Sequence, residues 1–105
     1  MKQALTMTAV GGTEYETVAA GQTAQVLGNA GAINDFIARL VVNVAVAATS
    51  TVSIKDGSDT AVELVPATTP VGNYVIELGI RSRTGAWQVT TGAGVSVVAI
   101  GQFSI

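Results

Sequence analysis

The feature that most constrains the fold is the recurrence of turn residues about every ten positions, between short segments of alternating apolar and polar side chains. Gly, Thr, Val and Ala dominate these segments, whereas the helix formers Leu, Glu and Lys are few. β-branched side chains suit a pleated strand. The pattern predicts an all-β protein. About seven or eight antiparallel strands in a chain of this length are typical of a single β-sandwich or jelly-roll-like domain.

The longest predicted strand covers residues 36–46. Its even-numbered positions are all apolar and are expected to face the core. Its odd-numbered face carries Arg39 and Asn43 between apolar residues, so it is only half suited to water and fits a subunit contact. A helix over residues 33–48 is the alternative, and the β-branched content together with the lack of a capping box disfavours it.

Turn chemistry places the remaining strands. Asp56-Gly57 is the strongest hairpin signal because glycine supplies the positive φ that tight turns need. Strands are predicted at residues 23–27, 51–55, 60–65, 74–81, 86–90 and 95–103. We expect the last two strands to pair with each other near the centre of a sheet. Residues 1–16 are expected to form an N-terminal arm, and residues 17–105 the β-sandwich domain.

The chain lacks the side chains that most catalytic and metal sites use. It has no His and no Cys, and 11% of its residues are charged, against roughly 25% in an ordinary soluble domain. Groups that exchange protons near neutral pH, ready nucleophiles and thiolate ligands are therefore missing. We expect no enzymatic activity, no catalytic residue, no metal and no cofactor.

One segment has the composition of a cation site. Asp56, Ser58 and Asp59 offer two carboxylates and a hydroxyl within four residues, and hard cations prefer oxygen ligands. The spacing of an EF-hand and its bidentate Glu are absent. A hairpin turn is therefore the favoured interpretation.

Charge and hydropathy argue against two classes of partner. The formal net charge is −2 and the five basic residues do not cluster, so the electrostatic footprint of a nucleic-acid binder is missing. The longest apolar run, residues 36–48, is interrupted by polar residues and is shorter than the ~20 residues that a membrane helix needs. The first residues are too polar for a secretory signal. We expect a protein made in a cytoplasm that contacts neither nucleic acid nor membrane.

The scarcity of charge also indicates a covered surface. With 49% hydrophobic residues and a mean hydropathy of +0.51, a soluble monomer would expose unusual amounts of apolar area. A homo-oligomer resolves this. Arg81 and Arg83, two residues apart, would share a face of a continuing strand and could bind a carboxylate of a neighbour. A solvated strand end is the equal alternative for the two arginines. Glu14 and Tyr15 in the arm could dock on a partner, but an ordinary exposed arm is the favoured interpretation.

The only Trp of the chain, Trp87, allows two interpretations. An exposed ring could stack on a sugar or anchor a protein contact. The favoured alternative is a residue in or beside the core.

Several stretches together resemble small proteins encoded beside the structural genes of tailed bacteriophages. They are GIRSRTGAWQVTTGAGVSVVAIGQF at 79–103, GTEYETVAAGQTAQVLG at 12–28 and SIKDG at 53–57. In that setting a short, Cys-free β protein most resembles a capsid decoration, or cement, protein. The resemblance implies a trimer on the outer surface of the virion, made in the host cytoplasm, that binds the major capsid protein and bridges capsomers.

Within that interpretation we expect Arg39, Asn43, Arg81 and Arg83 near subunit or capsid contacts, and the arm with Glu14 and Tyr15 on a neighbour. Two alternatives remain open. One is another virion component, such as a head fibre base, a tail tube or a baseplate protein. The other is a carbohydrate-binding adhesion module that stacks sugar on Trp87, Tyr15 or Tyr74.

Overall fold

The structure, a computed structural model, describes residues 14–103. These residues form eight strands and one 3₁₀ turn at Ala47–Thr49, so the predicted all-β fold is confirmed. The strands are β1 (Glu14–Val18), β2 (Gln25–Val26), β3 (Phe36–Val44), β4 (Val52–Asp56), β5 (Val62–Val65), β6 (Gly72–Arg81), β7 (Trp87–Thr91) and β8 (Val95–Gln102).

The strands form two four-stranded antiparallel sheets packed face to face as a β-sandwich. Sheet A has the order β1-β8-β3-β6 and sheet B has the order β2-β7-β4-β5. In sheet A, β1 pairs with β8 and β3 with β6. In sheet B, β2 pairs with β7 and β4 with β5. This is the connectivity of a long hairpin rolled up on itself, which defines the jelly roll.

The core lies between the sheets and is almost entirely aliphatic. Val42 and Val97 from sheet A and Val52 and Val89 from sheet B are among its fully buried side chains. Trp87 joins this core at 4% exposure, and its indole Nε1–H donates a hydrogen bond of 2.9 Å to the carbonyl of Asp35. The burial confirms the expectation that Trp87 is a core residue. The hydrogen bond supplies the acceptor that a buried indole N–H needs.

The Asp56-Gly57 hairpin joins β4 to β5 as predicted, and it has a second role. The Asp56 carboxylate accepts hydrogen bonds from the backbone N–H groups of Arg83 and Thr84 and from the Thr84 hydroxyl. Partial burial raises the pKa of this carboxyl group, but these hydrogen bonds outweigh burial and leave the pKa below its ordinary value. The carboxylate therefore fastens the β6–β7 connection, as the turn interpretation requires.

The predicted pairing of the last two strands is wrong. β7 lies in sheet B beside β2 and β4, whereas β8 lies in sheet A between β1 and β3. The turn between them packs on the 3₁₀ turn: Gly94 donates its N–H to the carbonyl of Thr49, and Gly92 donates to Thr51. Each strand is nevertheless central in its own sheet. That central position, and not pairing of β7 with β8, explains why both strands are rich in apolar residues.

The predicted inward face of β3 is only partly right. Leu40, Val42 and Val44 face the core, but Ile37 is fully buried in place of Phe36, and Val46 is 53% exposed beyond the end of the strand. The register shift between Ile37 and Arg39 against β8 explains the change, because a β-bulge adds one residue and reverses the alternation.

The predicted arm extends too far. Residues 14–16 belong to β1 and pair with β8, where Glu14 lies opposite Gly101 and Glu16 opposite Ala99. Residues 1–13 lie outside the described part of the chain. Among residues 14–103 no helix has the length and hydrophobicity to span a bilayer.

Candidate functional site

The outward surface of sheet A is the candidate site. Strand pairing aligns Thr17, Val98, Val41 and Val75 in one row across β1, β8, β3 and β6. Directly opposite residues in antiparallel strands point to the same side of the sheet. This row alternates with the buried residues of β1, β3 and β8 and with the half-buried residues of β6, so it faces away from the core.

A second row extends the apolar surface. Tyr15 lies opposite Ile100, which in turn lies opposite Arg39, and Arg39 lies opposite Glu77. Tyr15 is 73% exposed and Val75 in the first row is 60% exposed. We call the following six residues the apolar face: Tyr15, Thr17, Val41, Val75, Val98 and Ile100.

One end of the apolar face forms a shallow open groove of about 410 Å³, lined by Glu14, Tyr15, Val98 and Ile100. Glu14 is fixed beside it, because its Oε1 accepts a hydrogen bond of 3.2 Å from the backbone N–H of Phe103. The groove therefore combines an aromatic ring, two aliphatic side chains and a carboxylate.

Polar groups border the apolar face on both sides. Arg39 Nε lies 3.1 Å from Glu77 Oε2 in an exposed ion pair between β3 and β6. On the other side, Asn43 lies opposite both Asn73 and Ser96. An apolar centre with a polar border is the usual composition of a protein-binding surface.

Four of the six predicted contact residues lie on or beside this surface: Glu14, Tyr15, Arg39 and Asn43. The structure brings them together from strands far apart in sequence.

The two remaining arginines do not share a strand face as expected. β6 ends at Arg81, whose guanidinium lies 5.4 Å from the centre of the Phe36 ring and donates a hydrogen bond to the carbonyl of Asn34. Ser82 is buried, and Arg83 lies in the following connection with its N–H bound to Asp56. Arg81 therefore borders sheet A, whereas Arg83 is held by the end of β4.

Sequence reasoning placed Val41 on the half-apolar face of the longest strand, but it missed Thr17, Val75, Val98 and Ile100. A signal for two of them exists in the sequence of β8: Val95 and Val97 lie on one side, and Val98 and Ile100 lie on the other side between Ser96 and Gln102. A sandwich covers only one face of each sheet. Apolar residues in the middle of the outer face are therefore more than the sandwich itself requires.

Other types of site have little support in residues 14–103. No group of three or more Asp or Glu side chains in this range is placed to hold a metal ion. Of the three aromatic residues considered for sugar stacking, Trp87 is buried and the Tyr74 hydroxyl donates to the carbonyl of Pro70. Only Tyr15 presents an open ring.

The comparisons with known proteins identify no relative: no family model matches the chain, and no curated protein or solved structure is significantly similar to it.

Proposed function

We propose that this protein is a structural assembly protein that binds other protein subunits through the apolar face of sheet A. The observation that carries the proposal is the row Thr17, Val98, Val41 and Val75, three of them valines, which crosses all four strands and which nothing in the described part of the chain covers. A contiguous apolar surface with a polar border marks an interaction site in a soluble protein. The low overall charge of the chain supports the same conclusion.

The specific role that we propose is that of a trimeric capsid decoration protein, which binds the major capsid protein and bridges capsomers of a phage head. The resemblance described above supplies the partner. A jelly roll is also a common architecture of viral capsid domains, although this support is by analogy of fold alone. In a trimer, three weak attachments reinforce one another, because the second and third bind at a high effective concentration.

Within the trimer, the centre of the apolar face, formed by Val41 and Val98, is assigned to the contact between copies. A three-fold contact buries the same rows on every copy and removes apolar area from water, worth about 25 cal/mol per Å². Arg39, Glu77 and Asn43 border the contact and set its orientation, as polar groups at the rim do. Glu14 and Tyr15 at the groove end are the first candidates for contact with the capsid.

The deciding experiment is the solution mass of the purified chain, by size-exclusion chromatography with light scattering over a dilution series. A mass three times 10.6 kDa that persists on dilution supports the trimer. Co-sedimentation with assembled phage heads, at a saturating ratio of three chains per binding point, then tests the decoration role. A hexamer or an open polymer that does not dissociate through trimers on dilution supports another virion component, and a monomer that does not sediment with heads contradicts the proposal.

A further inference from the structure

Among residues 14–103, β6 is an edge strand of sheet A with no strand paired to its outer side, and at ten residues it is the longest of the eight strands. Edge strands present unpaired backbone N–H and C=O groups that can pair with another chain, and most proteins shorten, bend or charge such edges to prevent it. The other sheet edges among residues 14–103 follow that rule. β2 has two residues, β5 has four beside a register shift, and β1 has five with two glutamates.

The regular part of β6 lies between two glycines and has a single residue at its midpoint. Gly72 with a φ of 154° begins it, and Gly79 with a φ of +66° ends it where the register against β3 shifts. Between them, residues 73–78 contain no proline and no lysine. Val75 is the midpoint of residues 72–78 and is 60% exposed.

We propose that the β6 edge binds the β6 edge of a second copy of this chain, antiparallel about a two-fold axis at Val75. The contact joins the two A sheets into one continuous eight-stranded sheet. It is isologous and closes a dimer, so it is distinct from the three-fold contact proposed above. It links two trimers, or two single copies where no trimer forms.

The side chains complement one another in this register. Val75 lies opposite Val75 of the second copy, Tyr74 opposite Ile76, and Asn73 opposite Glu77. Pairs of β-branched or aromatic residues stabilise adjacent antiparallel strands, and like charges placed opposite each other destabilise them. Glu77 meets an amide here and keeps its own ion pair with Arg39.

The neighbouring registers are poorer. Centring the pair on Ile76 places Glu77 opposite Val75, and centring it on Tyr74 places Glu77 opposite Val71. Centring it on Glu77 brings two carboxylates together. Only the register about Val75 uses all of residues 72–78 without setting the carboxylate against an apolar side chain or another carboxylate.

The same register extends the apolar face. The row of Thr17, Val98, Val41 and Val75 ends at the β6 edge, and the two-fold axis continues it into the identical row of the second copy. The contact therefore adds backbone hydrogen bonds at the edge and side-chain packing on both sides of the joined sheet.

The chain contains no cysteine, so single cysteines report this contact directly. Val75→Cys places two thiols opposite each other and is expected to form a disulfide-linked dimer within minutes under mild oxidation. Asn73→Cys is the matched control, because position 73 lies four residues along the strand from its own copy, about 13 Å away, and a disulfide needs Cα atoms within about 7 Å. Asn73→Cys mixed with Glu77→Cys is expected to cross-link between the two variants.

The cross-links are repeated with Val98→Lys added, which breaks the proposed three-fold contact but leaves the edge intact. Persistence of the Val75→Cys dimer and of the 73–77 heterodimer in that background supports the edge pairing independently of the trimer. Equal rates for Val75→Cys and Asn73→Cys, or no 73–77 heterodimer, overturn it. Val75→Lys, which sets two like charges opposite each other, is expected to weaken any wild-type dimerisation at least tenfold.

Discussion

The two sheets of this sandwich bury similar inner faces but present opposite outer faces. On the central strands of sheet B, the outward residues are Ser53 and Lys55 of β4 and Gln88 and Thr90 of β7, and all four are polar. On sheet A the corresponding surface carries the apolar row through Val98 and Val41. Water covers the first surface at no cost, whereas the second exposes aliphatic carbon.

The difference shows where the sequence departs from what a monomer needs. Either sheet could satisfy the fold with one apolar face, since antiparallel sheets commonly have one side on the core and the other in water. Sheet B does so. The additional apolar residues of sheet A lie outside the core, so association with another surface is the role that we propose for them.

The largest expected effect comes from placing one charge on each outer face. Val98→Lys on β8 is expected to weaken trimer formation at least 100-fold, because burying an unpaired ammonium group costs several kcal/mol. Ser53→Lys on β4 is the matched control and is expected to leave association unchanged. Light scattering over a dilution series measures both. Equal loss in the two variants, each with native circular dichroism, would mean that the two faces do not differ in function.

The second prediction concerns the bulge that orients the apolar face. A Cβ added at Gly101 would overlap the carbonyl oxygen of Phe36, where the bulge of β3 approaches β8. Gly101→Ala is therefore expected to lower the free energy of unfolding by about 1–3 kcal/mol. Gln102→Ala, at the next and exposed position, serves as the control and should change it by less than about 0.5 kcal/mol. Urea unfolding measures both, and an undiminished stability in Gly101→Ala would show that the bulge tolerates a side chain.

The bulge also marks the limit of what the sequence predicts about the fold. Local signals are sufficient for the Asp56-Gly57 hairpin, the positions of β4 and β6 in the chain, and the buried Trp87. Ile37 is buried where the alternation predicts Phe36, because no pattern in the neighbouring sequence marks the extra residue of a bulge. The separation of β7 from β8 was missed for a similar reason, since a short glycine turn serves equally within a sheet and between sheets.

The candidate site was predictable only in part, because its rows are built from distant segments. The sequence indicates Tyr15, Arg39 and Asn43 as contact residues separately, each from its own side chain and its place in one segment. Their common face depends on the order β1-β8-β3-β6, which places residues 15 and 100 side by side. Pairing of this range is set by the whole fold, so single-strand patterns identify the side chains but not their neighbours.

The third prediction tests the sheet B end of the molecule, where stability should vary with pH. The pKa of Asp56 is lowered in the folded protein, so its stabilising contribution is complete above the unfolded value of about 3.9 and is lost as pH falls through the folded pKa. Asp56→Asn is expected to lower stability by about 1 kcal/mol at neutral pH and to remove part of the acid-dependent loss below about pH 4.

Asp59→Asn is the control for this prediction, because it removes the same charge from the same turn without touching the β6–β7 connection. Thermal unfolding between about pH 3 and 7 measures all three proteins. If the stability of Asp56→Asn and that of the wild type varied with pH in the same way, the Asp56 carboxylate would not be what holds the β6–β7 connection. Self-association should be unaffected by either change, since both residues lie at the end of sheet B away from the apolar face.

The smallest expected effect is that of the Arg39–Glu77 ion pair on folding. Its side chains are 41% and 69% exposed, and exposed pairs contribute little because water screens them. A double-mutant cycle with Arg39→Gln and Glu77→Gln is expected to give a coupling free energy of unfolding of at most about 0.5 kcal/mol. In the same cycle, association of the double variant should be as tight as that of the wild type or tighter, because burying both charges at the border of an apolar contact carries a desolvation cost. Weaker association of the double variant would instead place the ion pair at the centre of the contact, in place of the row through Val98 and Val41. The two sheets would then differ in function through the arrangement of their charges and not through apolar area.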